Sequence, residues 1–282
     1  MGKLPEDLIN LQKDAVVHWF PCGEGRMPIR QWKNAGAEKV VLFHGGSGSW
    51  LHWARNIPVL REHLEVYAID LPGLGDAAMC EVESDAVSAA LATRDALGQL
   101  FDSAFHVVAF SWGCTVTAMI MKDLAALLKS VMLTGPAAVG DLPRKVSMKP
   151  LIKRVPEMSG DEVLAAQKEN LARLMIYQRS RIDDTAVIIQ QLNTSRARFR
   201  SPPYARGTLV IDGVQGTTTP LFVIYGDHDA PAHPDLEARR DIFQYARPDV
   251  RFELVADAGH WLQYEMPELF NERCIEWVNS QS

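Results

Sequence analysis

The sequence predicts an α/β fold, a doubly wound and mostly parallel sheet with a helical insertion late in the chain. Three observations predict it. Short apolar runs alternate with stretches of helical periodicity, and strands separated by helices pair in parallel through right-handed crossovers. Runs such as KVVLF at 39–43 are continuously apolar, as a strand must be when helices cover both of its faces. Between 136 and 206 the helical patterns continue without a good strand, and afterwards the alternation resumes.

Residues 15–20 and 28–32 read as an opening pair of strands joined by the turn PCGEG, because Gly and Pro punctuate chains where special backbone angles are needed. The buried strand 39–43 comes next. A helical stretch at 50–63 contains Pro58, which lacks a backbone donor and predicts a kink or break. Strand 66–69 ends in Asp70 and the turn LPGLGD. Residues 84–101 have helical periodicity, with Ser84 as the N-cap. Strand 105–110, helix 112–129 and strand 130–134 follow. Within the interruption, 161–178 and 183–193 are helical. Strand 221–225, helix 235–245, strand 250–255 and helix 267–279 close the chain. The expected division is a core of 1–135 and 207–282 and a helical cap, or lid, of 136–206.

Composition excludes several function classes. The 282 residues are 47% hydrophobic, enough for a sizeable core and too apolar for global disorder. With 29 Lys and Arg against 35 Asp and Glu, the net charge is −6, whereas a nucleic-acid partner needs clustered positive charge. The densest basic run, Arg196, Arg198 and Arg200, is too short for that. Cys22, Cys80, Cys114 and Cys274 fit no metal or redox spacing and read as free thiols of a reducing compartment. The N-terminal MGKLPEDLINLQKD has no apolar signal region, and Glu6 stands where a myristoylation site wants Ser or Thr. The apolar stretch 105–128 is broken by Ser111, Gly113, Lys122 and Asp123, so it reads as strand into helix and not as a membrane span. A cytoplasmic protein with no membrane partner is expected, its oligomeric state open, homodimer included.

The chemistry is signalled by Ala109-Phe110-Ser111-Trp112-Gly113, which falls where a strand meets a helix. The G-x-S-x-G pattern is a sharp strand–turn–helix elbow that exposes a serine Oγ and aims the next backbone N–H at developing negative charge. Ala109 replaces the first glycine, one methyl more, and Gly113 keeps the second. His44-Gly45-Gly46-Ser47-Gly48 directly follows strand 39–43. A glycine-rich loop there lets backbone N–H groups face an anion. Gly46 and Trp112 are therefore the candidate oxyanion donors, and His44 reads as a residue that holds the loop. The spacing matches neither G-x-G-x-x-G nor a G-K-[ST] phosphate loop.

Two further strand ends carry an acid and a base. Gly226-Asp227-His228-Asp229 follows strand 221–225, and Asp257-Ala258-Gly259-His260-Trp261 follows strand 250–255. Open α/β sheets build their sites at such ends. The order Ser111, Asp229, His260 suits a nucleophile, an orienting acid and a general base. Asp227 could also serve as the acid, although the G-x-x-D turn selects Asp229; Asp257 shares the histidine's own loop. The other histidines have no metal-ligand spacing and read as surface or packing residues; no metal is expected.

The segments HGGSGSW, VYAIDLPGLGD, VVAFSWGC, IYGDHDAP and AGHWLQYEMPELF, spread in order from 44 to about 270, make the chain resemble the α/β-hydrolase superfamily. The resemblance implies an α/β-hydrolase fold: an eight-stranded, mostly parallel sheet with helices on both faces, a cap over the site, and no cofactor. Haloalkane dehalogenases and soluble epoxide hydrolases of this superfamily carry aspartate at the elbow. With Ser111 there, the chain looks more like carboxylesterases, meta-cleavage-product C–C hydrolases and small acyl-transfer enzymes. The implied partner is a small-molecule acyl substrate that forms an acyl-enzyme on Ser111.

The substrate is less legible. Arg196 or Arg198 could grip a substrate carboxylate in bidentate fashion, as a cap-side arginine does in C–C hydrolases resembling this chain; the alternative is a solvated basic stretch joining cap to core. Ser47 and Trp261 are candidate substrate contacts. Trp50, Trp53, Trp112, Met119, Met175 and Tyr177 could line an acyl pocket, although such residues usually pack. Hydrolysis and acyl transfer share the acyl-enzyme, so sequence leaves both open, along with a slow-turnover ligand receptor on the same fold.

Overall fold

The computed structural model describes residues 4–142, 148–233 and 235–282. Helix α1 (Glu6–Lys13) precedes an antiparallel pair, β1 (Val16–Cys22) and β2 (Gly25–Trp32). Next come β3 (Lys39–Phe43), a 3-10 turn (Trp50–Trp53), α2 (Ile57–Leu60), β4 (Glu65–Ile69), α3 (Ala86–Leu100), β5 (Phe105–Phe110), α4 (Trp112–Ile120) and β6 (Leu128–Thr134). Among the described residues, the segment that follows holds helices and no strand: α5 (Gly160–Leu174), α6 (Asp184–Arg196), two 3-10 turns (Arg179–Arg181 and Pro202–Ala205) and α7 (Leu209–Val214). The chain then re-enters the sheet through β7 (Leu221–Gly226), α8 (Leu236–Ala246), β8 (Arg251–Val255), α9 (Leu262–Glu265) and α10 (Pro267–Ser280).

The eight strands form one open sheet in the order β1-β2-β4-β3-β5-β6-β7-β8. β2 runs antiparallel to both neighbours, and β3 to β8 pair in parallel. β3 lies between β4 and β5, so successive connections leave it in opposite directions across the sheet. The loops after β3 and β5 therefore emerge side by side at the C-terminal edge, in the crevice where such sheets hold ligands.

The apolar runs are explained by cover on both faces. Val41 and Phe43 of β3, with Val107 and Ala109 of β5, join a core under α3, α4, α7 and α8. Val40 and Leu42, with Val108 and Phe110, join a second core under α1, α2 and α10. Each large apolar side chain so buried contributes about 1.5–3 kcal/mol. Helices α5 and α6 send Leu171, Ile189 and Leu192 into this second core. α5 starts with a capping box, Ser159 and Glu162 each meeting the other's backbone N–H.

Local expectations differ in several places; the helix expected over 161–178, for one, ends at Leu174 as α5, and 175–178 is not helical. The helix of 84–101 is capped by Asp85, whose carboxylate accepts from Ser88 N at 2.7 Å, while Ser84 sits at φ 52°. The stretch 50–63 divides into a 3-10 turn and α2, and Pro58 lies in the first turn of α2, where its missing N–H leaves no bond unmade. The helix after Ser111 ends at Ile120, short of 129, and β6 starts already at Leu128. Helix α1 was not foreseen; it buries Leu8 and Leu11 and accepts Trp32 Nε1–H at Leu11 O, 2.8 Å away.

Candidate active site

Strand β5 is buried throughout and releases the chain at Ser111, whose φ of 50° and ψ of −111° are strained for a residue with a side chain. The turn is held from behind. A Cβ on Gly113 would stand 2.8 Å from Phe43 Cβ and from His44 O, so only glycine fits there. Ala109 is accommodated in the ladder, paired with Phe43 and Leu133 and fully buried. Ser111 itself is half-buried, and α4 starts at Trp112, whose N–H is in the unpaired first turn of the helix.

The loops after β7 and β8 bring their polar groups to that serine. His260 Nε2 lies 3.0 Å from Ser111 Oγ, and His260 Nδ1 lies 2.7 Å from Asp229 Oδ2. Asp229 can only accept, which places the imidazole proton on Nδ1 and leaves Nε2 to accept from the serine hydroxyl. Asp229 is fully buried and its Oδ1 accepts from Ala232 N at 3.1 Å. Asp227 is bonded instead to His228 Nδ1 at 2.6 Å, and Asp257 is an exposed residue at φ 57°. Geometry thus joins Ser111, His260 and Asp229 and leaves the other two acids out of the chain of bonds. Gly135, at φ 56°, closes the site from β6: a Cβ there would lie 3.0 Å from both Asp229 Oδ2 and His260 Nδ1. Its Gly-Pro step after a strand is the signal that could have found it.

The loop after β3 crosses in front of the elbow. A Cβ on Gly45 would stand 2.9 Å from the Phe110 ring and 3.2 Å from Ser111 Cβ. Gly45 N–H is already donated to His52 Nδ1 at 3.2 Å, so Gly46 provides the next backbone donor. Gly46 is half-buried and lies beside Trp112, whose Cβ would be 3.8 Å from a Cβ placed on it. His44 holds the loop as expected: it accepts Leu71 N–H at Nε2, 2.9 Å away, and donates Nδ1–H to Gly45 O at 2.7 Å. Burial pushes the pKa of His44 down and that of His52 well down, so both are neutral struts. His52 packs between Phe110 and Trp261; no spacing rule marked it for this place.

Of the expected substrate contacts, Ser47 is half-buried at φ 49° on the same loop. Trp261 is fully buried, donates Nε1–H to His52 O at 2.9 Å and stacks on Tyr264, so it packs beneath the site. Trp50 and Trp53 are likewise core residues. Trp112 stacks on Phe199 with centroids 5.0 Å apart. The basic run lies along the 73–84 loop: Arg196 pairs with Asp76 at 3.0 Å, Arg198 donates to Ala77 O, and Arg200 N–H meets Ser84 Oγ at 3.1 Å. The insertion also reaches the loop after β3 through Asn193, fully buried on α6, whose Oδ1 accepts from Ser49 Oγ at 2.7 Å. Among the described residues no group of three or more His, Cys, Asp or Glu side chains could hold a metal, and no helix is long and apolar enough to cross a membrane.

The model of the alpha/beta hydrolase family matches residues 40–273. This chain belongs to that family. As an alpha/beta hydrolase it is similar to a 2-hydroxy-6-oxononadienedioate/2-hydroxy-6-oxononatrienedioate hydrolase of Pseudomonas sp., at 23% identity over 86% of this chain and 88% of the relative. It is similar to carboxylesterase YbfK of Bacillus subtilis, at 22% identity over 86% of this chain and 80% of the relative. In structure it resembles the naproxen esterase of Bacillus subtilis with a TM-score of 0.74 at 18% identity, covering 98% of this chain and 99% of the other. The family match settles the family, and the structural likeness bears out the fold.

Proposed function

We propose that this protein is a serine esterase that cleaves a carboxylic ester of small to medium acyl length through an acyl-enzyme on Ser111. The observation that carries the reading is the unbroken chain of bonds from Ser111 Oγ through His260 to buried Asp229, at 3.0 and 2.7 Å. Ser111 Oγ attacks the ester carbonyl carbon while His260 Nε2 takes its proton. Asp229 fixes the tautomer and stabilises the imidazolium. The tetrahedral oxyanion accepts from Gly46 and Trp112 N–H, each such donor being worth about 100- to 1,000-fold in turnover. His260 returns the proton to the departing alkoxide, which leaves as alcohol. Water then gives its proton to His260 and attacks the acyl carbon; the bond from Ser111 Oγ to that carbon breaks, His260 returns the proton to Oγ, and the carboxylic acid leaves. Residues 136–206 serve as the cap, with Ser47 at the substrate's side of the loop.

Nitrophenyl esters of increasing chain length test this with wild type and Ser111→Ala. Turnover that peaks at short or medium chains and drops by about 10⁶-fold in Ser111→Ala is expected. Equal turnover in the two proteins would sink the mechanism.

A second reading, hydrolysis of a C–C bond in a vinylogous diketo acid, is favoured by the similarity to the oxononadienedioate hydrolase. It would need a cation for the substrate carboxylate. Arg196 and Arg198 would have to leave Asp76 and Ala77 O to supply one. Faster turnover of a diketo acid than of any ester would decide for it.

A further inference from the structure

Glu265 stands outside the bonded chain of Ser111, His260 and Asp229, yet it is a fully buried carboxylate with no ion-pair partner among the described residues. Burying such a group is costly unless its oxygens are met by donors. Its donors come from two separate parts of the chain. Oε2 accepts from Gly259 N at 2.8 Å, the residue immediately before His260, and from Tyr177 N at 3.1 Å. Oε1 accepts from Gln178 N at 2.6 Å. Tyr177 and Gln178 belong to the turn that follows α5 in the insertion.

That turn touches both loops that flank Ser111. Trp261 N–H donates to Met175 O at 2.7 Å, and Gln178 Nε2 donates to Asp257 O at 2.7 Å. The Tyr177 ring stacks on His228, one residue before Asp229, with centroids 3.7 Å apart. A Cβ on Gly259 would stand 2.6 Å from Tyr177 N, so the two backbones meet without a side chain between them.

We infer that Glu265 is a positioning residue that fastens the 175–178 turn of the insertion to the His260 loop, and so makes the placement of His260 depend on the insertion being seated. This rests on the esterase reading for its kinetic consequence only; the geometry of the clasp does not. Three charge-assisted bonds converge on one carboxylate, and such bonds are roughly twice as strong as neutral ones. A glutamine would keep one acceptor oxygen and turn an NH2 group against a backbone N–H. His260 would then lose its fixed distance to Ser111, and a displacement of about 1 Å can lower turnover by about 100-fold.

The test compares wild type, Glu265→Gln and the surface control Glu268→Gln. Each is titrated with a fluorophosphonate to count reactive Ser111 before ester kinetics. Glu265→Gln should lose about 10- to 100-fold in kcat per titrated site, with KM little changed. Its downfield proton resonance from His260 Nδ1–H should shift or broaden, and Glu268→Gln should match wild type in all respects. Activity that falls only in proportion to the titrated sites, with an unmoved Nδ1–H resonance, would overturn the inference and leave a structural role. If Glu265→Gln does not fold, Gln178→Ala removes the adjacent bond to Asp257 O and should move the same resonance; no movement overturns the inference. The resonance needs no ester turnover, so it separates failure of this inference from failure of the esterase reading, which would show as wild type inert toward every ester.

Discussion

The edge of the sheet around Ser111 and the insertion that meets it are held by different kinds of contact. At the edge, glycine backbone lies close against its neighbours: a Cβ on Gly113 would press on Phe43 and His44 O, one on Gly45 on the Phe110 ring, and one on Gly135 on the Asp229–His260 pair. Close-packed surfaces of that kind have one arrangement and do not deform gradually. The insertion shares apolar core through α5 and α6 and stacks Tyr177 on His228 and Phe199 on Trp112, and it adds polar bonds to the loops of the edge: Asn193 to Ser49, Arg196 to Asp76, Gln178 to Asp257, and the Glu265 carboxylate. The difference teaches that Ser111, His260 and Asp229 sit on loops set by close packing at the sheet, while 136–206 adds polar bonds to those same loops.

The sharpest way to break this comparison is at the acid. Asp229 is buried and bonded to His260, whereas Asp227 is part-exposed and bonded to His228. Asp229→Asn should lower kcat by roughly three to four orders of magnitude, because the imidazole loses its tautomer while the fold is retained. Asp227→Asn should change kcat little. Parallel kinetics and circular dichroism on both variants read the ranking. The reverse order would mean that the edge is not built around the bond at Asp229.

How much was legible in the sequence follows the same division. The strands, the elbow and the order Ser111, Asp229, His260 were readable because each is local: a run of apolar residues, a turn with small flanks, a strand end with a polar residue. Asp229 was preferred to Asp227 on a turn pattern; in the structure Asp229 is bonded to His260 and Asp227 to His228. What escaped depends on contacts distant in sequence. Glu265 meets Gln178, 87 residues away, and Asn193 meets Ser49, 144 residues away. His52 looked like any packing histidine until Gly45 N–H was seen to end on it. Trp261 was read as a pocket residue from its neighbour in sequence, but its side chain turns beneath the site to His52 O.

A smaller effect sharpens the account of the edge. Burial holds the pKa of His44 and His52 below the ordinary 6.5. The unfolded chain takes up protons at that pH which the folded chain refuses, so stability is full above about pH 6.5 and declines as pH falls further. Each histidine contributes a slope of at most about 1.4 kcal/mol per pH unit. Urea midpoints from pH 7.5 to 5 should therefore fall more steeply for wild type than for His52→Gln, whose amide oxygen can still accept Gly45 N–H. Parallel curves would show that His52 charges in the folded state and is no neutral strut.

The smallest expected effect lies in the insertion. Arg196 is half exposed and joined to Asp76 at 3.0 Å, and Asp76 is also bonded at 2.5 Å to buried Arg30, which pairs with buried Asp70. Asp70 in turn accepts Trp50 N–H at 2.8 Å, next to the loop that carries Gly46. Arg196 is thus the outermost member of a charged line running from the insertion to the edge. An exposed ion pair contributes about 0–1 kcal/mol, so Arg196→Ala should lower the unfolding free energy by less than about 1 kcal/mol. The inner members keep their partners, so turnover of short esters should hold while limited proteolysis between 136 and 206 quickens. A loss of several kcal/mol, with turnover falling alongside, would place Arg196 among the fixed contacts of the edge and erase the distinction between a preorganised sheet and a separately fastened insertion.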